Sequence, residues 1–397
     1  MSAKNPFFAL FGDFRKSKSK DQDTTLFLHA SDLHLGSHQY RNEYRADDFI
    51  RAFQEIFYLS IIHHVDFILL GGDVFTSLEM LPGKLTKIID ILTDFKEYTG
   101  GTIPIIAIEG NHDIRKFSRG VKFAKRGQSW LKLLLNLDLL ILLNGNMEAP
   151  PNSIYLPYDS KHKKGGKIQI KNVIIYGNHY LGENPEEYIP KITKAITKKD
   201  NFFNILLQHF GIKGQMKNVP GIDYDKLLVL REKVDYLALG HYHVQFILDN
   251  WVYNPGSTEA ACSVDTQFNR GVFIVELTGK KHFEKKVFSL RLINRKYIWK
   301  TIYFPYSFKS KEDIKNYITK KLKVKMNRSE DKLDLSNPEV PMLFLVLKGW
   351  KPLLKYKLNE RDLKAEILQS LHVVDVKIFQ KFSDPIKNLN EFLKITS

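Results

Sequence analysis

The stretch LFLHASDLHLG, Leu26 to Gly36, begins as a buried β-strand and ends by offering a carboxylate and an imidazole, Asp32 and His34, two residues apart. Along a strand, positions i and i+2 point to the same face, so the pair could converge on one object. Two polar residues just beyond a strand also make an ordinary turn, and the pair alone does not choose between these readings. Its companions along the chain do.

Four further apolar runs end the same way. VDFILLGG is followed by Asp73, IPIIAIEG by Asn111, His112 and Asp113, NFFNILLQ by His209, and VDYLALG by His241 and His243. Carboxyl ends of strands are where ligand and catalytic residues gather in α/β sheets, and five coincidences outweigh a chance turn. The inventory Asp32, His34, Asp73, Asn111, His209, His241 and His243 mixes nitrogen and oxygen without thiolate. A closed structural zinc site prefers four Cys or His, whereas this set suffices for two five- or six-coordinate ions. Asp73, at the end of a central strand, is the natural bridging carboxylate, and a bridged pair can activate water and hold a phosphoryl oxygen.

Around these runs the chain alternates strands (TTLFLHA, NVIIYG and GVFIVEL among them) with segments of helical periodicity such as ADDFIRAFQEIFYLSIIHH, the pattern of an α/β fold. Near Leu290 the rhythm changes. RKYIWKTIYFPY, VPMLFLVLKGW and HVVDVKIFQKF read as strands, SKEDIKNYITKKLK and NERDLKAEILQSL as helices, which suggests a separate α+β domain. The expected organisation is a loose arm over 1–23, a main domain over 24–290, a small α+β domain over 291–382 and an amphipathic tail over 383–397.

The 397 residues carry 60 Lys plus Arg against 44 Asp plus Glu, a net charge of +16. Between Arg291 and Ser397 stand 23 Lys/Arg and 12 Asp/Glu, so +11 of the excess lies in the second domain. That suits a phosphate-rich partner and equally a lysine-covered surface. The single cysteine, Cys262, excludes an intramolecular disulfide, and with no secretory pattern in MSAKNPFFALFGDFRKSKSK the expected setting is intracellular, the cytoplasm or nucleoid. No apolar run approaches the length of a membrane span.

DLH, GGD, GNHD, QH and GHYH in this order resemble the signature of the calcineurin-like metallophosphoesterases over about Thr24 to Leu290. DLHLG, GGDVF and YNPGSTE resemble more narrowly the SbcD-type, or meiotic-recombination-eleven, DNA-repair nucleases. The resemblance implies a β-sandwich flanked by helices with a small α+β DNA-capping domain. It implies two manganese ions, the first on Asp32, His34, Asp73 and His243, the second on Asp73, Asn111, His209 and His241. It also implies a catalytic His112 that stabilises charge or protonates the leaving oxygen, oriented by Asp113. Two-metal hydrolysis of DNA phosphodiesters without a covalent intermediate would follow, with DNA, an SMC-like SbcC-type ATPase and a second copy of the chain as partners. Arg41, Arg45, Arg115, Lys116 and Arg119 lie close in sequence to the ligand loops and are candidates for phosphate contact.

Two departures stand out. The nuclease family carries a histidine after the GD-hydrophobic-Phe run, associated with placing DNA for exonuclease action, and here Thr76 occupies that position. The tail beyond Phe382 is also short for a family whose members add helices there to hold the ATPase. Rival readings are a small-molecule phosphodiesterase or phosphatase of the same superfamily, and a DNA-end scaffold with limited catalysis. Asn178 and His179 repeat an Asn-His pair, but Tyr180 follows in place of a carboxylate, so they read as a strand end. His29, His63 and His64 read as structural, Cys262 lacks the pattern of a nucleophile, and Asn254 to Ser257 read as a tight turn near the site.

Overall fold

A computed structural model of the chain describes residues 24–114, 128–305, 307–323, 334–350 and 358–383. The expected arm (1–23), nearly all of the expected tail, and Arg115, Lys116 and Arg119 lie outside the described residues. Among those described, no helix is long and apolar enough to cross a membrane.

The chain divides into two compact units. One takes the chain up to Gln39 together with Phe49–Leu292; the other takes Tyr40–Asp48 together with the chain from Ile293.

In the first unit the apolar runs form two six-stranded sheets. The first sheet contains β1 (Thr24–Ala30), β2 (Phe67–Leu70), β3 (Ile105–Ala107) and β4 (Ile141–Leu142), all parallel, with β11 (Val272–Thr278) and β12 (Glu284–Leu290) added antiparallel beside β1. The second runs β5 (Lys167–Ile170), β6 (Val173–Gly177), β7 (Phe203–His209), β8 (Tyr236–Gly240), β10 (Val252–Asn254) and β9 (Phe246–Leu248), with a parallel centre and antiparallel edges. Phe27, Phe67, Leu69 and Ile106 of one sheet and Ile175, Ile205, Leu207 and Tyr236 of the other form one buried apolar core between them.

On the outer face of the first sheet, Leu28, Ile68 and Leu70 pack with Phe53, Phe57, Ile91 and Phe95 of helices α1 (Glu43–Ile62) and α2 (Pro82–Thr99). On the outer face of the second, Leu206, Leu237 and Val252 meet Ile189 and Ile192 of α5 (Ile189–Ala195); among the described residues this unit also has the α-helix α3 (Trp130–Asn136) and the single turn α4 (Pro151–Ile154). The continuous apolar character of the central strands follows from burial on both faces. The result is the expected β-sandwich flanked by helices.

The second unit is a parallel sheet of β13 (Tyr297–Tyr303), β14 (Met342–Trp350) and β15 (Asp375–Ser383), with α6 (Lys311–Lys323) and α7 (Glu360–Ser370) packed on one face through Ile314, Ile318, Leu363 and Ile367. It differs from the expected continuous span 291–382 by including Tyr40–Asp48. The reason is a set of specific contacts: Tyr40 packs edge-on to Phe344, Asn42 donates to the Asp375 carboxylate at 3.2 Å, and Asp48 receives Arg295 at 2.6 and 3.0 Å.

Candidate metal centre

All seven predicted ligands are brought to the carboxyl ends of β1, β2, β3, β7 and β8, inside the first unit. Asp32 and His34 do not converge by strand alternation, because β1 ends at Ala30 and both residues have left-handed backbone, φ 52° and 48°. Asp73 (φ 48°) and His241 (φ 92°) share this region. Such conformations cost free energy for residues with a Cβ and persist where neighbouring structure dictates them. Here the neighbour is the adjacent loop: Asp32 N donates to Gly72 O and His34 N to Asp73 O, each at 3.0 Å, and Leu35 N to Val74 O at 2.8 Å. Glycine is required where the loops touch, since a side chain on Gly110 would collide with the Asp73 carboxylate.

The side chains of these residues then approach one another. His34 and His243 bring their Nε2 atoms to 3.0 Å. Asn111 Oδ1 lies 3.1 Å from both His209 Nε2 and His241 Nδ1, and Asp73 Oδ2 lies 3.4 Å from His209 Nε2. Three groupings, Asp32–His34–His243, Asp32–Asp73–His209 and His34–Asp73–His112, each place one donor atom per residue within 4.8 Å of the others. Among the described residues, no Lys or Arg forms an ion pair with Asp32 or Asp73. Buried carboxylates and imidazole lone pairs aimed at common points are the donor set of hard or borderline divalent cations, so the residues fit such ions.

Hydrogen bonds outside the ligand set choose the tautomers. His209 gives Nδ1–H to Gly71 O at 2.7 Å and His243 gives Nδ1–H to the Asp265 carboxylate at 2.8 Å, which leaves each Nε2 as the ligating atom. Burial, first of all, pushes His34 and His241 down to about 3, so both stay neutral and able to ligate. Burial also works against a charged His209, but the Asp73 carboxylate outweighs it and carries His209 up to about 9. Burial, followed by the negative charge of Asp73, pushes Asp113 up to about 8.

His112 closes the site. Its backbone N–H donates to Asp73 Oδ1 at 2.7 Å, its ring meets that of His34 edge-on at 5.0 Å, and its Nδ1 lies 3.0 Å from Thr76 O. The role expected of Asp113 therefore falls to the Thr76 carbonyl. Asp113 instead accepts from Gly110 N (2.9 Å), Phe75 N (2.9 Å) and Val74 N (3.3 Å), stitching the loop after β3 to the loop after β2.

Of the phosphate-contact candidates, Arg45 is corrected: it is fully buried in the second unit and spends Nη1 on Asp48 at 2.5 Å. Arg41 is exposed. Asn178 is a buried structural amide between Tyr155 and Gln208, and His29 is buried between Tyr236 Oη and Leu239 O, each at 3.1 Å. Sequence reasoning missed Asp265, which stands 22 residues after His243 without a motif, and Tyr180, whose ring centroid lies 6.1 Å from those of both His209 and His241.

The profile of the calcineurin-like phosphoesterases matches residues 25–245, which contain every ligand named above. The chain belongs to this family. Within it, the chain is similar to the DNA double-strand break repair protein Mre11 of Archaeoglobus fulgidus, 28% identical over 242 residues that cover 59% of this chain and 50% of that protein. The Mre11 of Saccharolobus solfataricus is 29% identical over 221 residues, 56% of this chain and 50% of its own. An uncharacterized metallophosphoesterase, YhaO of Bacillus subtilis, is 26% identical over 271 residues, 64% and 57% respectively. The chain spans about half the length of the curated relatives it matches.

Proposed function

We propose that this phosphoesterase is a manganese-dependent nuclease that hydrolyses phosphodiester bonds at DNA ends, in the manner of double-strand-break repair enzymes. The observation that carries the reading is the seven-ligand constellation with His112 hung between Asp73 and Thr76; the similarity to Mre11 proteins directs it toward DNA. Asp32, His34, Asp73 and His243 would hold one ion, and Asp73, Asn111, His209 and His241 the other. What such a pair supplies is a water acidic enough to attack at neutral pH and positive charge for the phosphoryl oxygens.

The protein's own part is placement and proton transfer. With Nδ1–H committed to Thr76 O, His112 works through Nε2: as an imidazolium it carries a second proton there, passes it to the departing oxygen and is left neutral with Nδ1–H still on Thr76 O. The stacked geometry of Tyr180 against His241 offers an aromatic wall to the group bonded to the scissile phosphate. The basic second unit, Arg41, Arg115, Lys116 and Arg119 are the proposed phosphate contacts, and Arg45 is not among them. An SMC-like ATPase, a second copy of the chain and an intracellular setting complete this reading. The absence of an imidazole at Thr76 favours endonucleolytic over exonucleolytic action.

A recess of about 930 Å³ beside Asn111, lined in part by Asn144, His179, Tyr180 and Tyr188, favours a second reading, hydrolysis of a small organic phosphodiester. One experiment separates the two: manganese-dependent cleavage of end-labelled single- and double-stranded DNA beside a small phosphodiester, with His112→Ala as control. DNA cleavage lost in the variant supports the nuclease, and its product ladder reads exonuclease action directly. Hydrolysis of the small ester alone moves the assignment to the second reading, and DNA binding without hydrolysis of either substrate makes the protein a scaffold.

A further inference from the structure

We propose that Asp265 is a positioning residue for one ion of the pair, the ion held by Asp32, His34, Asp73 and His243; the inference rests on the two-ion reading of the site. His243 is gripped at both main chain and ring. Asn254, buried at the end of β10, donates through Nδ2 to Tyr242 O and Val244 O, both at 2.7 Å, and Ser257 N donates to His243 O at 3.1 Å. These bonds fix the backbone on either side of His243 but leave its ring free to turn. Asp265 removes that freedom: Oδ2 accepts Nδ1–H of His243 at 2.8 Å.

Asp265 is itself placed before any ion arrives. The same Oδ2 accepts Ala261 N and Cys262 N, each at 2.9 Å, Oδ1 accepts the Cys262 thiol at 3.1 Å, and the residue is fully buried. An oxygen receiving three donors has one geometry, so the imidazole plane is set and Nε2 faces Nε2 of His34 across 3.0 Å. The other half of the site is built differently. His209 is held by a neutral carbonyl, Gly71 O at 2.7 Å, so of these two imidazoles only His243 is backed by a carboxylate. A carboxylate behind a ligating imidazole raises its basicity as well as fixing its orientation, and losing such a partner costs about 10- to 100-fold in metal affinity.

The test is titration of the metal-free full-length protein with manganese, read by calorimetry and by the spin-coupled signal of a manganese pair in electron paramagnetic resonance. The proteins compared are wild type, Asp265→Asn, His243→Ala and the double variant. In Asp265→Asn the amide oxygen can still accept the Ala261 and Cys262 main-chain N–H groups, so the loop survives while the charge behind His243 is lost. The expected result is two ions in the wild type and a weakening of one of them by about 10- to 100-fold in Asp265→Asn, with loss of the coupled signal at limiting metal. In the His243→Ala background the same substitution should change neither affinity nor melting temperature further. Two ions held with wild-type affinity in Asp265→Asn would overturn the proposal. So would an equal loss of metal-free melting temperature in both backgrounds, since that marks a loop-building role. A wild type that binds no manganese would overturn the two-ion reading itself and this inference with it.

Discussion

Each unit of this protein buries a cluster of charge, and the two clusters are completed in opposite ways. In the second unit Asp48, fully buried, receives Nε and Nη2 of Arg295 at 2.6 and 3.0 Å and Nη1 of Arg45 at 2.5 Å. Further donors of Arg295 go to the carbonyls of Leu335, Asn337 and Val340. That cluster is finished by protein alone. In the first unit Asp32 and Asp73 face imidazoles and an amide, and among the described residues no guanidinium or ammonium pairs with them. Burying carboxylates with only imidazoles and an amide for partners is costly unless an imidazole takes up a proton, as His209 beside Asp73 is pushed to do, or cations from solution take their place. The difference teaches that buried charge marks a working site where its protein partners are groups that can give up their protons to a metal ion, and scaffolding where they are permanent cations.

The sharpest way to break this comparison is to remove the carboxylate that both halves of the metal centre share. Asp73→Ala takes away the bridging ligand, the acceptor of His112 N–H and the partner of His209 at once. Hydrolysis of the preferred phosphodiester should fall by about a thousandfold or more, because water activation and charge stabilisation fail together. Steady-state rates at saturating manganese check it. A loss of about tenfold or less would mean that the cluster is not the reaction centre.

The matching experiment in the second unit has a structural readout. Asp48→Ala strands two buried guanidiniums and should cost about 3–5 kcal/mol, the usual penalty for removing one member of a buried pair. Urea unfolding followed at that unit, with metal-dependent hydrolysis of a small ester measured in parallel, should show the loss in stability with the chemistry retained. Replacing Asp48, Arg45 and Arg295 together by apolar residues of similar volume should restore much of the stability. If it did not, the cluster would be more than scaffolding.

A third kind of burial is that of His29, with neither counter-charge nor ligand role. Burial, only partly offset by the hydrogen bond to Leu239 O, lowers it from 6.5 to about 3. The folded-state value is depressed, so between pH 6.5 and about 3 the unfolded chain binds a proton that the native chain does not. Stability is full above the ordinary histidine value and is lost as pH falls, by about 1.4 kcal/mol per pH unit for one such group. Unfolding free energies measured from about pH 7 to about pH 4 should therefore show a slope in the wild type that exceeds that of His29→Asn by one proton. Equal slopes would place a proton on buried His29, with both ring nitrogens donating to Tyr236 Oη and Leu239 O, and would overturn the claim that burial keeps this histidine neutral.

Much of this was legible in residue order. Apolar runs such as TTLFLHA and VDYLALG became central strands because burial on both faces demands continuous hydrophobicity, and the polar residues after them became the site because the strands stop there. The edges were less legible. Lys167–Ile170 and Glu284–Leu290 are half-exposed, so their composition carries little of a strand's apolar signature. Arg45 was misread because nearness in sequence to a ligand loop says nothing about which face of α1 is buried, and Arg45 lies on the buried face, spent on Asp48 of the same helix. Asp265 was missed for the converse reason: its contact with His243 crosses 22 residues and exists only through the turn that carries it.

Thr76 is the position where side-chain and main-chain readings disagree most directly, and it predicts the smallest effect. Read as a letter, it is a lost histidine. In the folded chain its main chain does the work near the reaction: Thr76 O receives His112 Nδ1 at 3.0 Å, and Thr76 N donates to Leu35 O at 2.9 Å. The hydroxyl faces elsewhere, donating at 2.8 Å to the carbonyl of His34 and so helping to hold that residue in its left-handed conformation. Thr76→Val keeps the carbonyl and the β-branched shape and deletes that one hydrogen bond, which should cost about 1 kcal/mol of stability. Because His112 keeps its acceptor, kcat should stay within about fivefold of the wild type, with the change that does occur falling on manganese affinity through His34. A fall in kcat of about a hundredfold at saturating manganese would show instead that the hydroxyl meets the substrate. It would then be the side chain at this position, and not its carbonyl, that completes the centre.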